Sequence, residues 1–152
     1  MPIQRILVAL DGSPRAPAVR DAALELAQTT GAKLVLFRAV DIPIEWTQQM
    51  FSVSLEDLEQ VLEQQARKDL HVLAQAVPSE QFAGVRVQIG APWQSILSAA
   101  QVERADLIIL GSHGHNLFER LVGTTASRVL QQAPCNVLLV RADLPETRSP
   151  PA

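Results

Sequence analysis

The hydrophobic residues of this 152-residue chain fall into two alternating patterns. Short, nearly unbroken apolar runs alternate with longer segments in which apolar residues recur at helical spacing. The runs lie at residues 5–10, 33–40, 85–89, 107–110 and 136–140. Runs of this kind are typical of strands covered on both faces, and their alternation with helical segments predicts an α/β fold built on a parallel sheet.

The amphipathic segments between these runs predict helices, two of which carry clear end signals. Ser13 is placed to cap the first helix, Pro14 to occupy its first position and Gly31 to end it. Ser54 begins a second, longer helix through a sequence that resembles a capping box. A short third helix follows the third strand, and a fourth follows the fourth strand. The inward positions predicted for the fourth helix are Ala126, Val129, Leu130 and Ala133.

In two segments the hydrophobic residues have neither helical nor strand spacing. Residues 41–54 carry scattered large apolar side chains, and we expect them to form a loop with some exposed apolar surface. Residues 143–152 contain three prolines and are expected to form a disordered tail. Residues 1–142 are then one domain, which agrees with the length of the chain and with its 47% hydrophobic content.

The charge of the chain limits its partners. A net charge of −3 and a pI near 5.6, with no cluster of Lys and Arg, argue against nucleic acid. No apolar run approaches the ~20 residues that span a bilayer, and the N-terminal residues enter a strand pattern without a signal sequence. We therefore expect a cytoplasmic protein with no membrane partner. The single cysteine, Cys135, cannot form an intramolecular disulfide and is expected to be a small buried side chain.

The segment at residues 107–130 carries the candidate chemistry. It predicts a buried strand, a loop with Gly111, Gly114 and Gly123, and then a helix. Glycines after a strand let the backbone approach a ligand, and the N–H groups that open a helix are unpaired donors at the positive end of a dipole. The loop is therefore suited to an anion, most often a phosphate.

Other site chemistries find little support in the sequence. His113 and His115 have no carboxylate or cysteine beside them in the loop, and two ligands alone make a poor zinc site, so we predict no metal centre. There is no Gly-x-Ser-x-Gly elbow and no Gly-Lys-Ser/Thr of a Walker loop. The two lysines, Lys33 and Lys68, lie outside the glycine loop. We predict no catalytic residue.

Four motifs together resemble the universal stress protein family. They are VALDGS at residues 8–13, GAPW at 90–93, GSHGHNLFERLVGTT at 111–125 and APCNVLLV at 133–140, and the resemblance covers roughly residues 2–141. It implies a Rossmann-like sandwich, like that of the adenine nucleotide alpha hydrolases, with five parallel strands in the order 3-2-1-4-5 and about four helices. It also implies a homodimer paired through the last strand, and many members of the family bind ATP.

The family's nucleotide signature is Gly, two residues, Gly, nine residues, then Gly followed by Ser or Thr. Only eight residues separate Gly114 from Gly123 here, which resembles a variant of some bacterial members. We expect the missing residue to fall within 116–122, because loop tips absorb deletions more easily than anchored ends.

The resemblance assigns a role to three groups of residues. It places Ala9, Leu10 and Asp11 at adenine and ribose, Ala39 and Val40 at the adenine edge, Gly111, His113, Gly114 and His115 at the start of a phosphate cradle, and Gly123, Thr124 and Thr125 at its close. From the residues alone, Asp11 is either a turn residue or a ribose contact. The two threonines can cap a helix and bind a phosphate at the same time.

Three function classes follow. The sequence favours a stress-response regulatory protein that binds ATP or another adenine nucleotide, with magnesium as a candidate companion ion. The second class is a dimeric interaction scaffold of the same family that binds no nucleotide. The third and least favoured is a weak ATP hydrolase, because phosphoryl transfer requires a metal, a positioned nucleophile and positive charge. The sequence does not identify a protein partner.

Overall fold

A computed structural model describes residues 2–43, 45–46, 54–112 and 123–142 of the chain. Within these residues the strands are β1 (Arg5–Ala9), β2 (Lys33–Val40), β3 (Phe82–Ile89), β4 (Leu107–Gly111) and β5 (Asn136–Val140). The helices are α1 (Ala16–Thr30), α2 (Leu55–Ala74), α3 (Pro92–Val102) and α4 (Thr124–Gln132), with a 3-10 turn at Ser79–Gln81. The predicted alternation of strands and helices is confirmed.

The five strands form one parallel sheet in the order β3-β2-β1-β4-β5. The chain first adds strands on one side of β1, then crosses over and adds β4 and β5 on the other side. Ala9, the last residue of β1, is aligned with Phe37 of β2 and with Leu110 of β4. The predicted strand order is confirmed, and the strand order reverses between β1 and β4.

The sheet separates two hydrophobic layers, which explains why its strands are apolar at nearly every position. One layer lies under α1 and α2, and its fully buried strand residues are Ile6, Val8, Leu34, Leu36 and Ile109. The other lies under α3 and α4, and its buried strand residues are Leu7, Val35, Phe37, Ile108 and Leu110. Successive residues of each strand therefore serve opposite layers.

The predicted start of the first helix is wrong by two residues. The residue before α1 is Arg15, and Ser13 does not cap the helix. Instead the Ser13 hydroxyl accepts from the Arg15 amide at 3.2 Å and the Ser13 carbonyl accepts from the Ala16 amide at 3.2 Å, so Ser13 organises the turn that leads into α1. Gly31 ends α1 in the left-handed conformation, as predicted, with a φ of 77°. Ser54 caps α2, as predicted.

Three further predictions concern exposure. Leu130 is 47% exposed and does not face inward. It lies about 40° around the helix from the buried Ala126, on the side away from the buried Val129. Cys135 is partly and not fully buried, and this burial raises the pKa of its thiol. Trp46 is 48% exposed, as expected for residues 41–54, most of which lie outside the described residues. The predicted tail at 143–152 also lies outside them.

Polar contacts hold the amino ends of the strands together. The Asp106 carboxylate, directly before β4, accepts from the amides of Gln4 and Arg5, each at 2.9 Å. Glu103 lies between the guanidinium groups of Arg5 and Arg86. These hydrogen bonds, first that from Arg5 and then that from Arg86, hold the pKa of Glu103 below its usual value despite its burial. The start of β1 is thereby fixed against β4.

Across the residues described, each helix is either too short or too polar to cross a bilayer.

We predict that Asp106→Ala lowers the free energy of unfolding by about 1 to 3 kcal/mol, because two backbone donors lose a charged acceptor. Urea denaturation measures this change. Asp106→Asn keeps one carbonyl acceptor and should lose less. An alanine variant as stable as the unmodified protein would show that these two bonds contribute nothing to the β1–β4 pairing.

Candidate functional site

A cavity of about 350 Å³ lies where the strand order reverses, at the carboxyl ends of β1 and β4. Open parallel sheets bind ligands in this crevice, because the chain leaves β1 and β4 toward opposite faces of the sheet. The opening turns of α1 and α4 also line it, together with residues of β2, α3 and β5. The cavity falls within the ~300 to 1,000 Å³ typical of small-molecule sites.

Most of the described candidate residues lie on this cavity. Its lining includes Ala9, Leu10, Asp11, Ala39, Gly111, Gly123, Thr124 and Thr125. Val40 is not part of the lining, and its carbonyl accepts from the Gly90 amide at 2.9 Å. His113, Gly114 and His115 lie outside the described residues.

One part of the cavity is apolar. Phe37, Ala39 and Ile96 contribute side chains from β2 and α3. Phe37 and Ala39 share a face because they are two residues apart on the strand. The sequence interpretation missed Phe37, although strand alternation places it on the same face as Ala39, which the family resemblance had assigned to the site. The small alanine side chains at the strand ends leave room for a flat apolar group between the sheet and α3.

Asp11 is a polar residue of the same cavity. Its Oδ1 accepts from the Ser13 amide at 3.0 Å, so the predicted turn contact is present. Within the described ranges, its Oδ2 accepts no hydrogen bond. The turn therefore uses one carboxylate oxygen, and the second remains able to accept from a hydroxyl of a ligand.

The first turn of α4 presents backbone donors to the cavity. Its first helical hydrogen bond runs from the Ser127 amide to the Gly123 carbonyl at 2.9 Å. The amides of Thr124, Thr125 and Ala126 precede that bond and so have no acceptor within the helix. Gly123 has no side chain to cap them. With the positive end of the helix dipole at the same place, this turn favours an anion.

Two arginines, Arg15 and Arg128, differ in their position relative to the cavity. Arg128 places its guanidinium 5.2 Å from the centroid of the Trp93 ring and does not line the cavity. Arg15, which the sequence interpretation passed over, does line it. The available signal was its position in the loop that follows β1, because that loop borders the crevice between β1 and β4.

Metal ligands were also sought. In residues 2–43, 45–46, 54–112 and 123–142, no group of three or more His, Cys, Asp or Glu side chains is arranged to hold a metal ion. Asp11 is the single carboxylate side chain that those residues contribute to the cavity. The described part of the cavity thus offers hydrogen-bond donors and an apolar wall, with one carboxylate.

Comparisons with known proteins give a consistent result. The sequence profile of the universal stress protein family matches residues 2–141. Universal stress protein A homolog 1 of Coxiella burnetii is 34% identical over 144 residues, which cover 92% of this chain and 97% of that protein. Universal stress protein UspA from Lactobacillus plantarum is similar in structure, with a TM-score of 0.73 and 28% identity over 93% of this chain and 99% of its own.

A second solved structure is a universal stress protein in complex with cAMP. It has a TM-score of 0.66 and 21% identity, and covers 94% of this chain and 100% of its own. At that identity, the likeness supports the fold alone.

Proposed function

This chain belongs to the universal stress protein family, and from that premise we propose that it binds an adenine nucleotide and acts as a cytoplasmic, homodimeric regulatory protein of the stress response. The ligand is ATP or a shorter adenine nucleotide. Magnesium would accompany the polyphosphate forms as their counterion. The proposal keeps the assignment of Asp11 to the ribose.

The observation that carries this proposal is the division of one cavity into two chemically different parts. Phe37, Ala39 and Ile96 form an apolar wall suited to a flat heterocycle. The amides of Thr124 and Thr125 offer unpaired donors suited to a phosphate. An adenine nucleotide carries a flat base at one end and phosphate at the other. The solved relative in complex with cAMP supports this class of ligand.

Binding is favoured over hydrolysis by the residues that line the cavity. Phosphoryl transfer needs a metal ion, a positioned nucleophile and concentrated positive charge. Of the described residues, only Asp11 and Arg15 bring charged side chains to the lining. Backbone donors at a helix start can hold a phosphate without activating a nucleophile. The described residues therefore support a site that binds a nucleotide, and they do not support a hydrolase active site.

The homodimer is proposed through β5. Among the described strands, β5 lies at an edge of the sheet and pairs with β4 alone. Leu138 on this strand is 41% exposed. An apolar edge strand is open to further pairing, and a two-fold partner that adds its own β5 would cover both the backbone edge and the leucine.

We predict that the purified protein binds AMP, ADP and ATP with dissociation constants within about tenfold of one another, an order-of-magnitude estimate from the loss of one charge-assisted hydrogen bond. The shortened spacer between Gly114 and Gly123 should cost contacts to the outer phosphates. Calorimetric titration with and without magnesium measures the constants, and mass spectrometry identifies any nucleotide released on denaturation. Absence of binding for all three would instead support the nucleotide-free scaffold.

We predict that Gly111→Ala weakens nucleotide binding by about tenfold and leaves the unbound protein nearly as stable as before. An added Cβ would lie 3.5 Å from the Val19 Cγ2, an ordinary contact, but both residues line the cavity. Gly31→Ala is the control, for which we expect the opposite result: a loss of stability and no loss of binding. Its φ of 77° at the end of α1 strains an alanine, so stability falls while binding persists. Unchanged binding by Gly111→Ala would contradict the placement of the ligand.

We predict that the protein is a dimer at tens of micromolar and that Leu138→Lys converts it to a monomer. The Val140 carbonyl accepts from the Ser112 amide of the β4 side. Because residues two apart on a strand point the same way, the backbone of Leu138 also faces β4. Replacing the Leu138 side chain therefore leaves the backbone groups on the free edge of β5 unchanged. In a two-fold contact, two introduced lysines would repel each other. Light scattering measures the mass of each protein. Val61→Lys is the control, because Val61 is an exposed apolar residue on α2, and this variant should remain a dimer. A monomeric unmodified protein would contradict the proposal.

A further inference from the structure

Arg15 is the residue immediately before α1, and it lines the same cavity as Asp11 and the first turn of α4. Its side chain is partly buried, and its Nε is a buried donor without a hydrogen-bond partner. Arg15 also forms no ion pair with the described residues, although Asp11 lies on the same cavity. Arg15 thus brings a permanently charged side chain to the cavity without a carboxylate partner among the described residues.

Six of the eight other arginines in the described residues are paired, and the remaining two, Arg104 and Arg141, do not line the cavity. Arg5 and Arg86 both bind Glu103, and the remaining carboxylate pairs are Arg20 with Asp21, Arg38 with Asp69 and Arg67 with Glu63. Arg128 lies over the ring of Trp93. Arg15 differs from the six paired arginines because it lines the cavity and has neither a carboxylate nor an aromatic ring against it within the described ranges.

The fold uses the main chain of Arg15 and not its side chain. The Arg15 amide donates to the Ser13 hydroxyl at 3.2 Å. Its carbonyl accepts from the amides of Ala18 and Val19, at 3.1 and 3.2 Å, which starts α1. A residue of another type could make all of these contacts. Burying an N–H without a partner, in contrast, works against folding. The side chain therefore contributes nothing visible to the stability of the fold.

We propose that Arg15 binds the phosphate group of the nucleotide that lies nearest the ribose. This inference rests on the function proposed above and adds to it a charged side chain from a different loop. Arg15 follows Asp11 by four residues on the loop after β1, so a ribose held by Asp11 brings its first phosphate close to this guanidinium. The phosphate then lies between Arg15 and the free amides that open α4.

The chemistry of guanidinium suits this position. Its planar fork of N–H donors matches two oxygens of a phosphate, and its charge strengthens each hydrogen bond. The segment 111–125 contains no lysine, so a cation from the first loop supplies charge that a lysine supplies in Walker-type loops.

The test compares Arg15→Met with Arg67→Met. Both changes remove one positive charge and keep a flexible apolar stem, but Arg67 lies on α2, paired with Glu63 and away from the cavity. Titrations with adenosine, AMP and ATP, by competition where binding is weak, separate the phosphate contact from contacts to base and sugar. Thermal melting of the unbound variants measures any structural effect. Arg15→Lys keeps the charge but loses the planar fork.

For Arg15→Met we expect AMP and ATP to bind about tenfold more weakly, while adenosine changes by less than about twofold. The melting temperature of the unbound protein should not fall, since an unpaired buried donor is removed. Arg15→Lys should recover part of the affinity, and Arg67→Met should match the unmodified protein. Equal affinity of Arg15→Met and Arg67→Met for AMP, or an equal loss for adenosine and AMP, would overturn the role of Arg15 while the proposed function stands. Failure of the unmodified protein to bind any nucleotide would overturn both.

Discussion

Parallel pairing of β1 with β4 is the constraint on which the rest of this structure depends. It makes the chain cross over after β3, and the crossing leaves a crevice at the carboxyl ends of the two strands. The loops that follow β1 and β4 must then leave toward α1 and α4 on opposite faces. The candidate site follows from this geometry, because one loop brings Asp11 and Arg15 and the other leads to the free amides of α4.

The sequence predicted the architecture well because each strand is buried on both faces, and such burial leaves a nearly continuous apolar signal. Local signals were less reliable where tertiary contacts compete with them. Ser13 has the residue type of a helix cap, but its bonds go to the turn before α1. Leu130 is apolar and close to the inner stripe of α4, yet it lies beyond the area that the sheet covers. The spacing of apolar residues shows which face of a helix is buried, but it does not show how wide the buried face is.

The site was predicted in part for a similar reason. Motif resemblance located residues at the ends of β1 and β4, where backbone geometry is fixed by the fold, and the described ones line the cavity. It did not include Phe37 on β2, which lines the cavity together with Ala39. Arg15 was missed because a charged loop residue is solvated in most proteins, and only the three-dimensional structure shows its buried, unpaired nitrogen.

The cavity is the place where the two hydrophobic layers, elsewhere separated by the sheet, reach a common surface. Leu10 and Val19 of one layer and Phe37 and Leu110 of the other all line it. Any occupant that contacts these residues is linked to the folding of both layers at once, since it binds only when both are formed. Occupancy should then slow amide hydrogen exchange in the helices on both faces of the sheet. A small ligand would thereby couple the local unfolding of the two layers.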